Sequence, residues 1–267
     1  MLKDITIGQY FPGNSPLHRM DSRMKLVLTV FFIVMLFVAK NKFSLFVGIV
    51  FTLITYLISN IPFKMILKSL KPILPIIIFT SVLNLFFIRS GDILWQWKFL
   101  KITEDGFNLA VFMTVRIVCL IIGSSLLTYT TSPIDLTDGI ERLLSPLKKI
   151  KVPVHELAMM MTIALRFIPT LIEETDKIMA AQKARGADME TGSIIKRAKA
   201  LVPILIPLFV SSFRRAEELA LAMECRCYHG GEGRTRMKQL KLHLVDFCAV
   251  IYFAVFFAGI IIVNTLT

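Results

Sequence analysis

The sequence predicts an all-α, polytopic membrane protein with about five transmembrane helices and a cytoplasmic domain of long amphipathic helices. Three observations carry that prediction. Of the 267 residues, 55% are apolar, and the mean hydropathy is +0.68. Charged residues make up only 19%, against roughly 25% in soluble domains. The apolar residues, 21 Phe among them, come in long unbroken runs instead of the short alternating or heptad patterns of a water-soluble core. An ordinary soluble domain, a disordered chain and a fibrous repeat are all excluded. The net charge of +12 would point to nucleic acid in a soluble protein. In a membrane chain it reports positively charged cytoplasmic loops, and no nucleic-acid partner is expected.

The elements follow in order. A polar N-terminal stretch with Pro12, Gly13, Asn14, Pro16, His18 and Arg19 precedes the first apolar run. No small-residue cleavage site follows that run, so no cleaved signal peptide is expected. Apolar runs at 26–39, 43–59, 73–88, 107–129 and 247–266 are the five candidate spans, a crossing needing about 20 residues at 1.5 Å each. The first two are separated only by Lys40, Asn41 and Lys42, which predicts a tight helical hairpin. The short third run extends back through an amphipathic stretch at 62–71. With the N-terminus inside, Lys3, Arg19, Arg23, Lys25, Lys64, Lys68 and Lys71 fall on the cytoplasmic side, and Lys40, Lys42, Arg89, Lys98 and Lys101 outside. The bias is modest and favours an N-in, C-out topology.

Residues 130–245 form the distinctive segment, between spans in 1–129 and a last span in 246–267. A connection beyond roughly 15 residues has structure or function of its own. Three helical patterns fill it, at 133–147, 153–186 and 192–227. In the second, Leu157, Met160, Met161, Ala164, Leu165, Ile168, Leu171 and Ile172 recur at three- and four-residue intervals, while Glu173, Glu174, Asp176 and Lys177 are polar. The apolar stretch 201–213, with Pro203 and Pro207, is too short for a span and is expected to pack on the membrane side of this domain.

The second and third of these helices end alike. Ala184-Arg185-Gly186 closes one and Cys225-Arg226-Cys227 the other, and each arginine is preceded on its helix by a Glu pair, Glu173-Glu174 or Glu217-Glu218. For either end alone capping is a sufficient explanation, since Arg near a helix C-terminus favours the macrodipole and a following Gly is a common left-handed cap. Two such ends in one basic domain also supply planar, five-donor heads for acidic grooves on two similar partners.

These motifs, with Gly8-Gln9-Tyr10, Pro12-Gly13, the stretch Ser15-Pro16-Leu17-His18-Arg19-Met20-Asp21, and Gly230-Gly231 before Arg234-Thr235-Arg236, resemble the transmembrane scaffold (T component) of energy-coupling factor vitamin transporters, from about Gln9 to the last span. The resemblance implies a non-enzymatic subunit of a prokaryotic cell membrane that joins two cytoplasmic ABC-type ATPases to a membrane-embedded substrate-binding subunit, several of which can share one scaffold. It implies that Arg185 and Arg226, flanked by Ala184, Gly186, Cys225 and Cys227, engage the ATPases through coupling helices. It implies too that the substrate subunit docks on greasy helix faces represented by Met160, Ala164, Ile168, Leu205 and Leu208. ATP and Mg would be bound by the partners, with no cofactor in this chain. The departure is Cys225 and Cys227 where the family has Ala and Gly: the arginine is kept and the cap is changed.

Other constellations divide between bland and functional readings. Arg116, midway along the fourth run, is either an intramembrane functional cation or a side chain that snorkels or packs inside the protein. None of the five runs contains Asp or Glu, which argues against a proton-driven carrier. Cys225, Cys227 and His229 lack a second cluster for a four-ligand zinc site. No Gly-x-x-x-x-Gly-Lys-Ser/Thr occurs, so ATP is not bound through a P-loop here. Lys64, Lys68 and Lys71, and the run from Arg234 to Lys241, read as solvated positive-inside segments or as contacts to an anionic leaflet. A dedicated cobalt, nickel or biotin importer subunit is the nearest alternative. A self-contained carrier or intramembrane enzyme is the more distant one.

Overall fold

The computed structural model describes residues 10–88, 90, 92–97, 100–187, 193–231 and 240–266. Lys3, Gly8, Gln9, Arg89, Lys98, Arg234, Thr235 and Arg236, named above, lie outside the described residues. The chain divides into two compact units, one made of Gly8–Gly139 with Leu240–Thr267 and the other of Ile140–Gln239.

The first unit begins with a single turn, α1 (Pro16–Arg19), and then α2 (Ser22–Val38), α3 (Lys42–Ser59), α4 (Phe63–Leu70) and α5 (Leu74–Phe87). A small antiparallel hairpin follows, β1 (Ile93–Trp97) with β2 (Leu100–Thr103), then α6 (Glu104–Thr130), the start of α7 (Pro133–Leu144), and α10 (Leu244–Leu266) after the other unit. Among the described residues the hairpin is the one addition to the all-α expectation, a short strand pair between two spans whose pattern is too brief to stand out beside 14- to 27-residue helices.

Local chemistry sets the helix limits. Asp21 caps α2 by accepting from the Arg23 amide at 2.9 Å. Asn41 and Ser44 form a reciprocal capping box at the start of α3, which closes the predicted tight hairpin with only 39–41 between the helices. Thr103 caps α6, and Glu104 and Asp105 lie in its first turn, where the macrodipole favours acids. By length and composition α3, α6, α8 (Val154–Ala184) and α10 could each cross a membrane, and α4 with α5, bent by 59°, could make a fifth span. With 17 residues, α2 is about 25 Å long, at the lower limit for a crossing. The apolar length of α8 comes from its first half. Its charges collect after Ile172, so this part of an amphipathic helix matches a span in composition.

In the core of this unit Phe32, Met35, Leu36, Ala39, Leu45, Phe51, Cys119, Phe253 and Ile260 pack together. Phe51 stacks on Tyr252 with ring centroids 4.9 Å apart and on Phe32 at 5.6 Å. In lipid, burial of apolar surface gives no driving force, so close approach of helices must supply it. Gly48 shows this, because a Cβ there would meet Leu36 Cδ2 at 2.7 Å.

The Ser15 to Asp21 stretch is a polar latch whose two ends, Ser15 and Asp21, are buried. Ser15 Oγ donates to His18 Nδ1 at 2.7 Å, and His18 Nε2 donates to Phe11 O at 2.9 Å, the one tautomer that satisfies both contacts. Phe11 N donates to Tyr129 O at 2.9 Å. The Asp246 carboxylate, 1% exposed, accepts from Asp21 N at 2.9 Å and His243 N at 2.7 Å. Lys25 Nζ donates to Thr130 O at 2.9 Å and Thr131 Oγ1 at 3.3 Å. The latch therefore fixes the end of α6 and the start of α10. Asp246 falls just outside the apolar run at 247–266, so the absence of acids from the runs does not extend to the helix.

The second unit contains the end of α7, a 3₁₀ turn (Ser145–Ile150), α8 and α9 (Ile194–Glu224). The stretch 201–213 is thus part of one continuous helix. Pro203 and Pro207 in α9, like Pro169 in α8, each remove a backbone hydrogen bond without ending it.

Candidate functional site

The second unit is built on α8 and α9. Glu174 on α8 pairs with Arg215 Nη2 on α9 at 2.9 Å and accepts from Ser211 Oγ, while the Arg215 guanidinium lies 6.0 Å from the Phe167 ring centre. Further along, Gln182 Nε2 reaches Pro203 O at 3.4 Å. Contacts that rise in number on α8 fall on α9, so the helices run antiparallel. Their C-terminal ends therefore point apart. Arg226 lines a hollow of about 390 Å³ with Ile163, Arg166, Phe167 and Met223, whereas Arg185 lies about 22 positions beyond Ile163, roughly 33 Å along the helix.

The two ends share one backbone design. At the end of α8, Gly186 N donates to Lys183 O at 3.0 Å and Ala187 N to Gln182 O at 3.0 Å, with Gly186 at φ 83°. At the end of α9, Cys227 N donates to Glu224 O at 2.8 Å and Tyr228 N to Met223 O at 3.1 Å, with Cys227 at φ 53°. Both are Schellman caps with the arginine as the last residue before the left-handed one. Replacing Gly by Cys leaves the hydrogen bonds in place and puts a side chain in a conformation that costs L-residues roughly 1–2 kcal/mol. Arg185, Arg226 and all four flanking residues Ala184, Gly186, Cys225 and Cys227 are exposed. Among the described residues, neither guanidinium has a hydrogen-bond or ion-pair partner.

The apolar positions named for docking lie on the same two helices. Met160, Ala164 and Leu205 are exposed, while Ile168 and Leu208 are half-buried. Leu157, Met161, Ile206, Phe209 and Phe213 extend the exposed apolar surface, with Phe213 69% exposed. Monomeric soluble proteins rarely expose so large an apolar surface, which marks a protein or membrane contact.

Arg116 resolves to the packing role. Its Nη2 donates to Ala39 O, the carbonyl that closes α2, and its guanidinium lies 4.5 Å from the Phe112 ring centre and 5.9 Å from that of Phe37. No group of His, Cys, Asp or Glu among the described residues could hold a metal ion. Lys64, Lys68 and Lys71 are all exposed at α4. Sequence reasoning missed the buried Asp246 acceptor and the left-handed Cys227. The signal for Cys227 was its place in register with Gly186.

A family model described as CbiQ, cobalt transport protein, matches residues 13–237. The chain belongs to that family. It is 56% identical over 264 residues to the energy-coupling factor transporter transmembrane protein EcfT of Ruminiclostridium cellulolyticum, covering 99% of this chain and 98% of that protein. It is 59% identical over 250 residues to EcfT of Clostridium kluyveri, covering 93% of each. To EcfT of Bacillus subtilis it is 50% identical over 240 residues, covering 90% of this chain and 91% of that one. As a CbiQ-family chain it is the transmembrane T component of an energy-coupling factor transporter, a membrane subunit and not an enzyme. The match takes in both arginine ends, Arg185 and Arg226.

Proposed function

We propose that the chain is the scaffold through which two ABC-type ATPases drive a membrane-embedded substrate-binding subunit for vitamin or micronutrient uptake, with ATP and Mg bound by the ATPases. Arg185 and Arg226 each enter an acidic groove of one ATPase, and the exposed face with Met160, Ala164, Ile168, Leu205 and Leu208 carries the substrate subunit. Movement of the ATPases rocks α8 and α9 and tilts that subunit. This places the second unit on the cytoplasmic side of a prokaryotic cell membrane. One observation carries the reading: two helix ends of the same capped design present arginines without a partner among the described residues at opposite ends of one antiparallel pair.

The test is charge reversal. Arg185→Glu with Arg226→Glu turns each contact repulsive and leaves an acidic partner uncompensated, about 3–5 kcal/mol for each buried pair. The double variant should lose its ATPases on affinity purification. Full co-purification would overturn the reading. A scaffold dedicated to cobalt, nickel or biotin is the second reading, favoured only by the family's description as a cobalt transport protein. One substrate subunit encoded nearby would support it, and several interchangeable ones would support a shared scaffold.

A further inference from the structure

The first unit is packed unevenly along its length. On one side of the level of Phe32, Phe51 and Phe253, the helices α2, α3, α6 and α10 close on Met35, Leu36, Leu45 and Ile260, which are 4% exposed or less. On the other side the same four helices diverge around a cavity of about 310 Å³. The three aromatic rings form its floor, and Leu28, Leu126 and Ala249 are among its walls. Its rim holds Pro16, Met20, Lys25 and Thr130, at the start of α2 and the end of α6, where the chain turns from apolar to polar sequence. From Lys25 to Phe32 the helix rises about 10 Å, and from Val245 to Phe253 about 12 Å, the length of eight to ten methylenes.

These features decide the occupant. The walls are almost wholly apolar and offer a water few of the two to four polar partners it requires. The polar atoms at the rim are used internally, Lys25 Nζ by Thr130 O, Thr131 Oγ1 and His18 O. Close packing between helices favours a filled cavity over an empty one, and what surrounds spanning helices at high concentration is hydrocarbon chain. We infer that this cavity is a binding site for one acyl chain of a bilayer phospholipid, held with its head group at the level of Lys25 and its chain against Phe32, Phe51 and Phe253. The site belongs to the first unit and does not rest on the arginine contacts of the second.

The experiment uses the full chain in lipid nanodiscs doped with a phosphatidylglycerol that carries a photoreactive diazirine mid-chain. Crosslinks mapped by peptide mass spectrometry should fall on the lining residues Thr52, Leu127 and Tyr252 at several-fold the yield found at the outward Phe43, Phe46 and Val255. Ala249→Trp, which fills the cavity from its wall, should cut the lining yield at least fivefold and leave the outward yield unchanged, with the thermal unfolding midpoint kept. Leu127→Trp serves in its place if the first variant fails to fold. Wild-type lining yields no higher than the outward ones would overturn the inference. Lining yields that a folded cavity-filled variant leaves unchanged would also overturn it.

Discussion

The two units put the same kind of side chain to opposite uses. In the first, Arg116 is turned into the protein, its Nη2 on the carbonyl of Ala39 just past the end of α2 and its guanidinium over Phe112, with Nε buried and without a hydrogen-bond partner. In the second, Arg185 and Arg226 sit exposed on capped helix ends and touch no acceptor among the described residues. Most buried polar groups are satisfied where they lie. An exposed arginine held in a fixed frame is free to be satisfied by something else. Polar groups in the first unit therefore hold the structure together, and those at the two helix ends face outward. Mutations in the two places should separate stability from association.

The largest separation is expected at the helix ends. Arg185→Glu alone and Arg226→Glu alone should each release one ATPase, halving the ATPase content of the purified complex. Stability of the isolated chain should move by less than about 0.5 kcal/mol, because both side chains are exposed. Quantitative mass spectrometry of the complex beside thermal unfolding of the chain measures both. A single reversal that lowers the unfolding midpoint as far as it lowers association would erase the contrast.

The opposite result is expected at the latch. Asp246→Ala strands the Asp21 and His243 amides that its carboxylate accepts from, at about 1–3 kcal/mol for each buried donor left unpaired. The unfolding midpoint should fall by several degrees while the ATPase content of the folded fraction stays whole. Acid should loosen the same region. Burial raises the Asp21 carboxyl, but hydrogen bonds from the Arg23 side chain and amide, together with its charge, outweigh that and hold it below its ordinary value. A carboxyl lowered by folding stabilises above its unfolded pKa, near 4, and that stabilisation is lost as pH falls through the lower folded value. An acid titration should therefore destabilise the wild type in that range more than an Asp21→Asn variant.

How far these features could be read from sequence differs between the units for a physical reason. Spans and amphipathic helices announce themselves by period and length, so α3, α6 and α10 follow from the apolar runs and α8 from its three- and four-residue period. The Lys40 to Lys42 hairpin follows from one polar break and its Asn41–Ser44 box. The paired arginines were legible because a helix end is a local motif, repeated here with Cys227 in register with Gly186. The latch was not legible, because it joins residues 225 apart, and the sequence at Asp246 shows only an acid before a span. The strand pair at 93–103 was hidden by its brevity, and the role of Arg116 by a partner that is a backbone carbonyl with no residue identity to read.

A smaller effect compares the two caps directly. Cys227→Gly relieves a left-handed side chain, and because glycine's greater freedom in the unfolded chain offsets part of that relief, it should stabilise the second unit by about 0.5–1 kcal/mol. Gly186→Cys should cost a similar amount. A Cβ at Gly186 meets nothing within 4 Å, so that cost contains no steric clash. Opposite shifts in unfolding midpoint from the two exchanges would show that the ends share one geometry. Shifts of the same sign would show that they do not.

The smallest effect concerns what holds the two ends apart. The Glu174 carboxylate joins Arg215 and Ser211 across the antiparallel pair, with its side chain 24% and that of Arg215 32% exposed. Solvent screens such a pair, so Glu174→Gln should cost only about 0.5 kcal/mol. Its consequence lies in geometry, because the amide keeps one acceptor and loses the charge that fixes Arg215 over Phe167. If α8 and α9 act as one lever between two partners, the variant should keep both ATPases while lowering the number of substrates moved per ATP hydrolysed. Unchanged transport stoichiometry in proteoliposomes would mean that apolar packing alone holds the pair, and that the ion pair adds nothing to the frame in which the two arginines are held.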